Sequence, residues 1–146
     1  MHTVTLAIRL CVGVIALNEL VVGIWNMFWP RGFYRYFPTV DQTPPFSEHY
    51  ARDFGGATLG LALLLALACL RPKAHFVIPA SAAFLVFAVP HGVFHTAHLD
   101  HATALEATLL VAFLVTVVLL ACAAIVLTLL RDRAAAAPGD PVIPPA

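Results

Sequence analysis

Four long apolar stretches occupy most of this chain and limit the folds that are open to it. They run from about residue 5 to 28, 50 to 70, 74 to 95 and 102 to 130. At a rise of about 1.5 Å per residue, each stretch can cross the roughly 30 Å hydrocarbon core of a bilayer as a helix. Hydrophobic residues make up 61% of the chain, charged residues 11%, and the mean hydropathy is +0.90, whereas soluble domains carry about 25% charged residues. The sequence therefore predicts an all-α integral membrane protein, with a four-helix bundle over residues 1–130 surrounded by the lipid bilayer.

The two ends of the chain are expected to differ in structure. The first apolar stretch imitates a signal peptide, but Asn18 and Glu19 interrupt it and no A-x-A cleavage pattern follows, so we expect this helix to remain in the mature protein. Residues 131–146 are rich in Ala and Pro and have no apolar face to bury. We expect them to form a disordered cytoplasmic tail.

The basic residues of the connecting segments indicate how the chain is inserted. Cytoplasmic segments of membrane proteins are enriched in Lys and Arg. Four basic residues lie between the second and third stretches or after the fourth, namely Arg71, Lys73, Arg131 and Arg133. Arg31 and Arg35 in the first connection favour the opposite orientation, but the turn between the third and fourth stretches has no basic residue. We predict a multi-pass protein of the cell membrane with both termini in the cytoplasm.

The connection between the first two stretches, residues 29–47, is rich in aromatic residues and proline. Its aromatic residues are Phe33, Tyr34, Tyr36, Phe37 and Phe46, and its prolines are Pro30, Pro38, Pro44 and Pro45. Aromatic side chains are typical of the membrane–water interface, and the prolines favour extended or turn geometry over helix. We expect a loop across the mouth of the bundle, which acts either as an interfacial anchor or as a lid.

Histidines and carboxylates cluster in two short segments, each at the edge of an apolar stretch. The segments are Glu48-His49-(x)3-Asp53 and His91-(x)3-His95-(x)2-His98-Leu99-Asp100-His101. In an antiparallel bundle both segments reach the same membrane face, which is the extracytoplasmic face in the predicted orientation. His49 and Asp53 are four residues apart and share a helix face. The histidines at positions i, i+4 and i+7 form one stripe, and Pro90 directly before them should bend the helix.

These residue types are the usual ligands of transition metals. Imidazole nitrogens and carboxylate oxygens bind Zn²⁺, Fe²⁺ and Cu²⁺, and facing helices of a bundle can hold an ion between such pairs. Ionisable groups inside a membrane are costly and usually mark functional sites. We predict a metal site at the extracytoplasmic end of the bundle, in which His98 or Glu48 would be an outer-shell group. The candidate residues are His49, Asp53, His91, His95, Glu48 and His98.

Further ionisable residues are candidates for outer-shell contacts or for a proton path. They are Glu19, Asp100, His101, Glu106 and Arg52. Arg52 can pair with the carboxylates of its own helix, which would reduce the need for a metal. Glu19 lies near the middle of the first helix, where an unpaired charge costs several kcal/mol. We expect a neutral Glu19 hydrogen-bonded inside the bundle, with a proton path to the histidines as the alternative.

Three other interpretations of the histidine cluster stay open. A haem b held between His49 and either His91 or His95 would make an electron-transfer protein. A hydrogen-bonded network without metal would be proton-linked and sensitive to pH, because the ordinary pKa of histidine is near 6.5. An accessory subunit would dock in a homo-oligomer or a larger membrane complex. An enzyme in which the metal activates water or oxygen is also open. Nucleic-acid binding is not expected, because a net charge of zero offers no basic patch.

An ordered series of motifs resembles a bacterial membrane protein family. The motifs are Pro30-Arg31-Gly32-Phe33-Tyr34, Phe37-Pro38, residues 46–55 (FSEHYARDFG) and residues 89–100 (VPHGVFHTAHLD). Over about residues 5–130 the chain resembles a group of small four-helix membrane proteins, mostly actinobacterial, that have no assigned activity. The resemblance implies the four-helix architecture but no substrate. It also implies that the family signature is formed by Glu48, His49, Asp53, His91, His95 and His98.

Overall fold

Helices account for almost all of the described chain. The structure is a computed structural model that describes residues 2–42 and 45–136, and within these ranges it contains no strand. The four long helices are α1 (His2–Phe28), α3 (Glu48–Leu70), α4 (Ala74–Ala97) and α5 (Ala104–Ala136). A short helix, α2 (Pro30–Tyr36), and a 3-10 turn at Val40–Gln42 lie between α1 and α3. The predicted all-α fold is confirmed.

The outer surface of the long helices is apolar. All four helices are long and apolar enough to cross a membrane. Large hydrophobic side chains project from each of them and are exposed, among them Leu10, Leu17, Leu63, Val86 and Leu109. A helix that is apolar on all sides is suited to lipid, where its own backbone hydrogen bonds satisfy every peptide group. These helices indicate a multi-pass membrane protein.

The four long helices form an up-down-up-down bundle. In cross-section they follow the cyclic order α1, α3, α4, α5, and each helix contacts two antiparallel neighbours. This order places α1 diagonally opposite α4. The end of α1, the start of α3, the end of α4 and the start of α5 therefore lie together, and we call this the mouth end. The core below it is formed by buried side chains from every long helix, including Ile8, Ile15, Leu65, Phe84 and Ala121.

Two glycines let α1 and α3 approach closely near the mouth end. A Cβ atom on Gly55 would lie 2.6 Å from the backbone nitrogen of Met27 and 2.9 Å from the carbonyl oxygen of Gly23. Only glycine fits a contact this close between two helix backbones. The Gly56-(x)3-Gly60 spacing predicts such an approach, but within the described ranges a Cβ atom on either residue would meet nothing within 4 Å. The close crossing is formed by Gly23 and Gly55 instead.

Helix α5 continues beyond its predicted end at residue 130. Residues 131–136, which were expected to belong to a disordered tail, are helical. Arg131 Nη1 donates a hydrogen bond to the carbonyl oxygen of Pro72 at 2.7 Å, which connects α5 to the α3–α4 turn, and the alanines that follow favour helix. The boundary therefore moves to Ala136, and the rest of the predicted tail, residues 137–146, lies outside the described residues.

Helix α2 replaces the loop that was predicted at the start of the first connection. Pro30 takes the first turn of this helix, where its missing N–H costs no hydrogen bond. Phe33 and Phe37 stack with ring centroids 4.6 Å apart. Trp25 of α1 contacts both rings edge-on, at 5.7 and 6.2 Å. The loop prediction was wrong for residues 30–36, because proline begins this helix and an aromatic cluster holds it against α1.

Candidate functional site

A cavity of about 770 Å³ lies inside the bundle at the mouth end. Side chains from all four long helices and from α2 form its walls, and most of them are apolar or aromatic. Sites for small molecules are cavities of about 300–1,000 Å³ with this kind of lining and a few polar groups. The size and lining of the cavity are therefore those of a binding site for an organic molecule.

His91 and His95 form one wall of the cavity and are half-buried. Their ring centroids are 4.4 Å apart and the rings are inclined at 65°. Phe87 continues the same row, with its ring 5.0 Å from that of His91. All three residues lie on one face of α4, which continues through Pro90 to Ala97. The i, i+4 spacing of the first two histidines therefore has the predicted consequence, a shared helix face, and that face is turned toward the cavity.

Glu19 lines the cavity from α1, diagonally across from the two histidines. Its side chain is almost fully enclosed, since the residue is only 3% exposed. Oε1 accepts a hydrogen bond from Asn18 Nδ2 at 3.0 Å, whereas Oε2 is buried and has no hydrogen-bond partner in the described chain. Glu19 lies nine residues before Phe28, where α1 ends, which corresponds to a depth of roughly 13 Å. The lower part of the cavity thus contains a carboxyl oxygen with unused hydrogen-bonding capacity.

The first connection covers the mouth of the cavity. Phe33 and Tyr34 of α2 and Phe46 near the start of α3 all line it. The rings of Tyr34 and Phe46 are 5.4 Å apart, and the guanidinium carbon of Arg31 lies 5.5 Å from the centroid of Phe46. These contacts hold the described part of the connection across the opening, in the position expected for a lid.

His49 and Asp53 lie outside the cavity. They share a face of α3, as their spacing predicts, and His49 Nε2 is 3.2 Å from Asp53 Oδ2. Their side chains are 90% and 66% exposed. Tyr50 directly follows His49, and Phe54 directly follows Asp53; both of these aromatic residues line the cavity. Since successive residues are about 100° apart around a helix, the side chains of His49 and Asp53 face outward.

Glu48 and Arg52 form a polar contact network at the rim. Arg52 Nε and Nη2 donate to Glu48 Oε1 at 3.2 and 3.0 Å. Arg52 Nη1 also donates to the carbonyl oxygen of Met27 in the last turn of α1. Arg31 Nε lies 3.9 Å from Glu48 Oε2. The pairing of Arg52 with Glu48 that the sequence allowed is present, and it connects α1, α2 and α3.

His98 departs from the predicted histidine stripe because α4 ends just before it. It is the C-cap residue of α4 and has non-helical backbone angles. Its Nδ1 lies 2.8 Å from the carbonyl oxygen of Phe94, and its ring stacks on the Phe94 ring at 4.2 Å. The i+7 position continues a stripe only while the chain is helical, so His98 stacks on Phe94 and does not line the cavity beside His91 and His95.

The remaining candidates lie in the α4–α5 turn or at the start of α5. Asp100 and His101 are exposed. Glu106 Oε2 accepts hydrogen bonds from the backbone nitrogen and the hydroxyl of Thr103, both at 2.8 Å. The backbone nitrogen of Glu106 in turn donates to Thr103 Oγ1 at 3.3 Å. This reciprocal arrangement is a capping box, which gives Glu106 a structural role at the start of α5.

Of the six predicted metal-site residues, the structure thus brings two, His91 and His95, into the cavity. No group of three or more His, Cys, Asp or Glu residues in the described ranges is placed to hold a metal ion. The expected single site is divided because α3 turns His49 and Asp53 outward, Glu48 pairs with Arg52 at the rim, and α4 ends before His98. Metal or haem binding by the six residues stays a prediction.

The cavity itself was not foreseen from the sequence, although one signal for it was present. Phe84, Phe87 and His91 follow one another at intervals of three and four residues, which places two large aromatic side chains on the face that continues to the histidines. Asn26 also lines the cavity, and no sequence pattern identified it as a candidate.

Comparisons of the chain with protein-family models, with curated proteins and with solved structures gave no match.

Proposed function

We propose that the protein binds a small amphipathic molecule taken up from the membrane. The single observation that carries this proposal is the aromatic cavity with a half-buried imidazole pair in its wall. The apolar body of the ligand would lie against Phe84, Phe87 and Phe113, which line the cavity. The imidazoles of His91 and His95 would bind its polar group, because a neutral imidazole offers one donor and one acceptor nitrogen.

The charge distribution along the bundle supports an orientation for this site. Arg71 and Lys73 lie at the end opposite the mouth end, and the hydrogen bond from Arg131 to the Pro72 carbonyl brings the end of α5 to the same level. Lys and Arg are enriched on the cytoplasmic side of membrane proteins. We therefore place both termini in the cytoplasm and the mouth of the cavity on the extracytoplasmic side of the cell membrane.

A transition metal bound by His91 and His95 is the second candidate. The proximity of the two rings, with centroids 4.4 Å apart in a half-buried wall, favours it. The ion would be Zn, Fe or Cu, since these metals bind imidazole, and the ligand in the cavity would complete its coordination. The haem interpretation is less favoured, because His49, the expected axial ligand from another helix, lies outside the cavity.

Binding can be measured with tryptophan fluorescence in lipid nanodiscs. Trp25 contacts the α2 aromatic cluster at the cavity, and Trp29→Phe leaves it as the only tryptophan. With 4-phenylbutanol as the probe, we expect a saturable change in Trp25 fluorescence beyond the partitioning seen with empty nanodiscs.

Cavity-filling variants provide the control for this experiment. Ala88 lines the cavity, whereas Val86 on the same helix projects outward with 78% exposure. Ala88→Leu should weaken probe binding at least fivefold and Val86→Leu should leave it unchanged. Leu110→Phe fills the cavity from α5 and replaces Ala88→Leu if that variant does not fold. Non-saturable binding, or equal binding by all variants, would overturn the proposal.

A further inference from the structure

We infer that the ligand of this cavity is a lipophilic amine whose protonated nitrogen pairs with Glu19. The inference rests on the proposed function and names the chemical class of the molecule that the cavity takes. It depends on three features of the described chain: a buried carboxyl oxygen without a partner, a cavity lined by no Lys or Arg, and an aromatic wall at the same depth.

The carboxyl group of Glu19 is placed to receive a donor from the cavity. Oε2 is buried without a hydrogen-bond partner in the described ranges, while Oε1 is already bound by Asn18. A buried polar atom without a partner costs about 1–3 kcal/mol, and more if it is charged. Acidic residues within a membrane bundle commonly serve as counter-ions of ligands. A ligand that donates to Oε2 would remove this cost.

The described part of the chain brings no permanently charged cation into the cavity. Among the residues that line it there is no Lys or Arg. Arg31 and Arg52 interact with Glu48 at the rim. Arg9, on the same helix as Glu19, lies ten residues earlier, which corresponds to roughly 15 Å along the axis. The imidazoles of His91 and His95 lie on the helix diagonally opposite Glu19, so a permanent positive charge beside Glu19 would come from the ligand.

The aromatic wall that shares the cavity with Glu19 suits a cation with an apolar body. Phe87 lies ten residues before the end of α4 and Glu19 nine before the end of α1, so the two are at similar depth. Phe54 and Phe84 pack against Phe87 at 5.7 and 6.4 Å. Aromatic rings attract an ammonium group most strongly where water is excluded. The cavity volume of about 770 Å³ leaves room for a hydrocarbon or ring system between Glu19 and the mouth.

Three probes with the same apolar body test this inference. They are 4-phenylbutyl-dimethylamine, which is protonated at pH 7, 4-phenylbutyl-trimethylammonium, which cannot donate a hydrogen bond, and the neutral 4-phenylbutanol. Their affinities are measured by Trp25 fluorescence in nanodiscs, in the Trp29→Phe background, with empty nanodiscs as the partitioning control. We expect the tertiary amine to bind at least tenfold more tightly than the alcohol, with the trimethylammonium probe between them.

Matched carboxylate variants identify the residue responsible. Glu19→Gln keeps the shape of the side chain and removes its charge, so the tenfold preference for the amine over the alcohol should disappear. Asp53→Asn removes an exposed carboxylate outside the cavity and should behave as the unmodified protein does. Melting curves confirm that both variants fold.

The outcomes separate this inference from the proposed function. Equal affinity for the amine and the alcohol in the unmodified protein would overturn the inference and leave the binding cavity intact, and a hydroxyl-bearing ligand would then be the better assignment. A preference for the amine that persists in Glu19→Gln would also overturn it. Absence of saturable binding for all three probes would overturn the proposed function itself. The ranking of the probes needs no variant, so the test holds even if Glu19→Gln fails to fold.

Discussion

Metal retention should depend on His91 and His95 and not on His49. The two cavity histidines are half-buried and adjacent, whereas the side chain of His49 is 90% exposed. We expect Zn, Fe or Cu that co-purifies with the protein to be lost largely from His95→Ala and to be retained by His49→Ala. Elemental analysis of the purified variants measures the metal-to-protein ratio.

The opposite result would support the metal site of six residues that the sequence predicts. If His49→Ala loses the metal as fully as His95→Ala does, α3 must rotate its outer face toward the cavity in the metal-bound protein, and all six predicted residues return as candidates. His91→Phe serves as a second cavity variant, because it keeps a ring against Phe87 while it removes both nitrogens.

At the scale of single residues, sequence spacing predicted which side chains lie together but not where they point. The pairs His49–Asp53 and His91–His95 both share a helix face, as four-residue spacing requires. Only the second pair faces the cavity. The difference depends on how each helix is rotated about its axis, which the packing of the whole bundle decides. Phe54 lies on the cavity side of α3 and is half-buried, and its large apolar ring outweighs the smaller apolar surfaces of His49 and Asp53.

At the scale of the helices, the α1–α3 crossing should tolerate no side chain at Gly55. A Cβ atom there would lie 2.6 Å from a backbone nitrogen of α1, so Gly55→Ala must push the two helices apart. We expect a loss of about 1–3 kcal/mol, typical of overpacking. Gly56→Ala is the matched control and should leave stability unchanged or raise it slightly, because alanine favours helix. Thermal unfolding in detergent micelles measures both, and an equal loss in the two variants would contradict the predicted crossing.

The sequence predicted the long helices well because length and hydropathy alone determine them in a membrane. It missed α2, whose seven residues have no apolar periodicity of their own and are held by contacts between Trp25, Phe33 and Phe37. The Gly56-(x)3-Gly60 spacing is common by chance in apolar helices and did not identify the crossing. Gly56 and Gly60 have the more familiar spacing, but a close crossing needs small residues on the facing sides of both helices, and Gly23 with Gly55 meets that condition.

For the whole molecule, the predicted orientation can be tested by cysteine labelling. In a protein whose Cys11, Cys69 and Cys122 are replaced by serine, a single cysteine is introduced by Asp100→Cys or by Ala134→Cys, both at exposed positions. A membrane-impermeant maleimide applied to right-side-out vesicles should label only the first variant. The second should react only after the vesicles are opened, because it lies beyond the basic end of the bundle. The reverse pattern would place the cavity mouth on the cytoplasmic side.

The bundle was predictable from the sequence, but the cavity was not. Antiparallel helices follow from short connections between apolar stretches. A void inside them depends on how side chains such as Phe84, Phe113 and Leu114 fit together, and one residue of rotation in any helix would change it. The position of Glu19 in the sequence indicated that a carboxyl group lies inside the bundle. It did not indicate that this group lines an apolar cavity.

Pro90 interrupts the backbone hydrogen bonds of α4, the helix that forms one wall of the cavity. A proline within a helix cannot donate to the carbonyl four residues earlier, and α4 contains two such residues, Pro79 and Pro90. Phe84 lies before Pro90 and is anchored in the core, whereas His91 and His95 lie beyond it. The final two turns of α4, which include His91 and His95, therefore have one backbone hydrogen bond fewer connecting them to the turns before Pro90 than an uninterrupted helix would have.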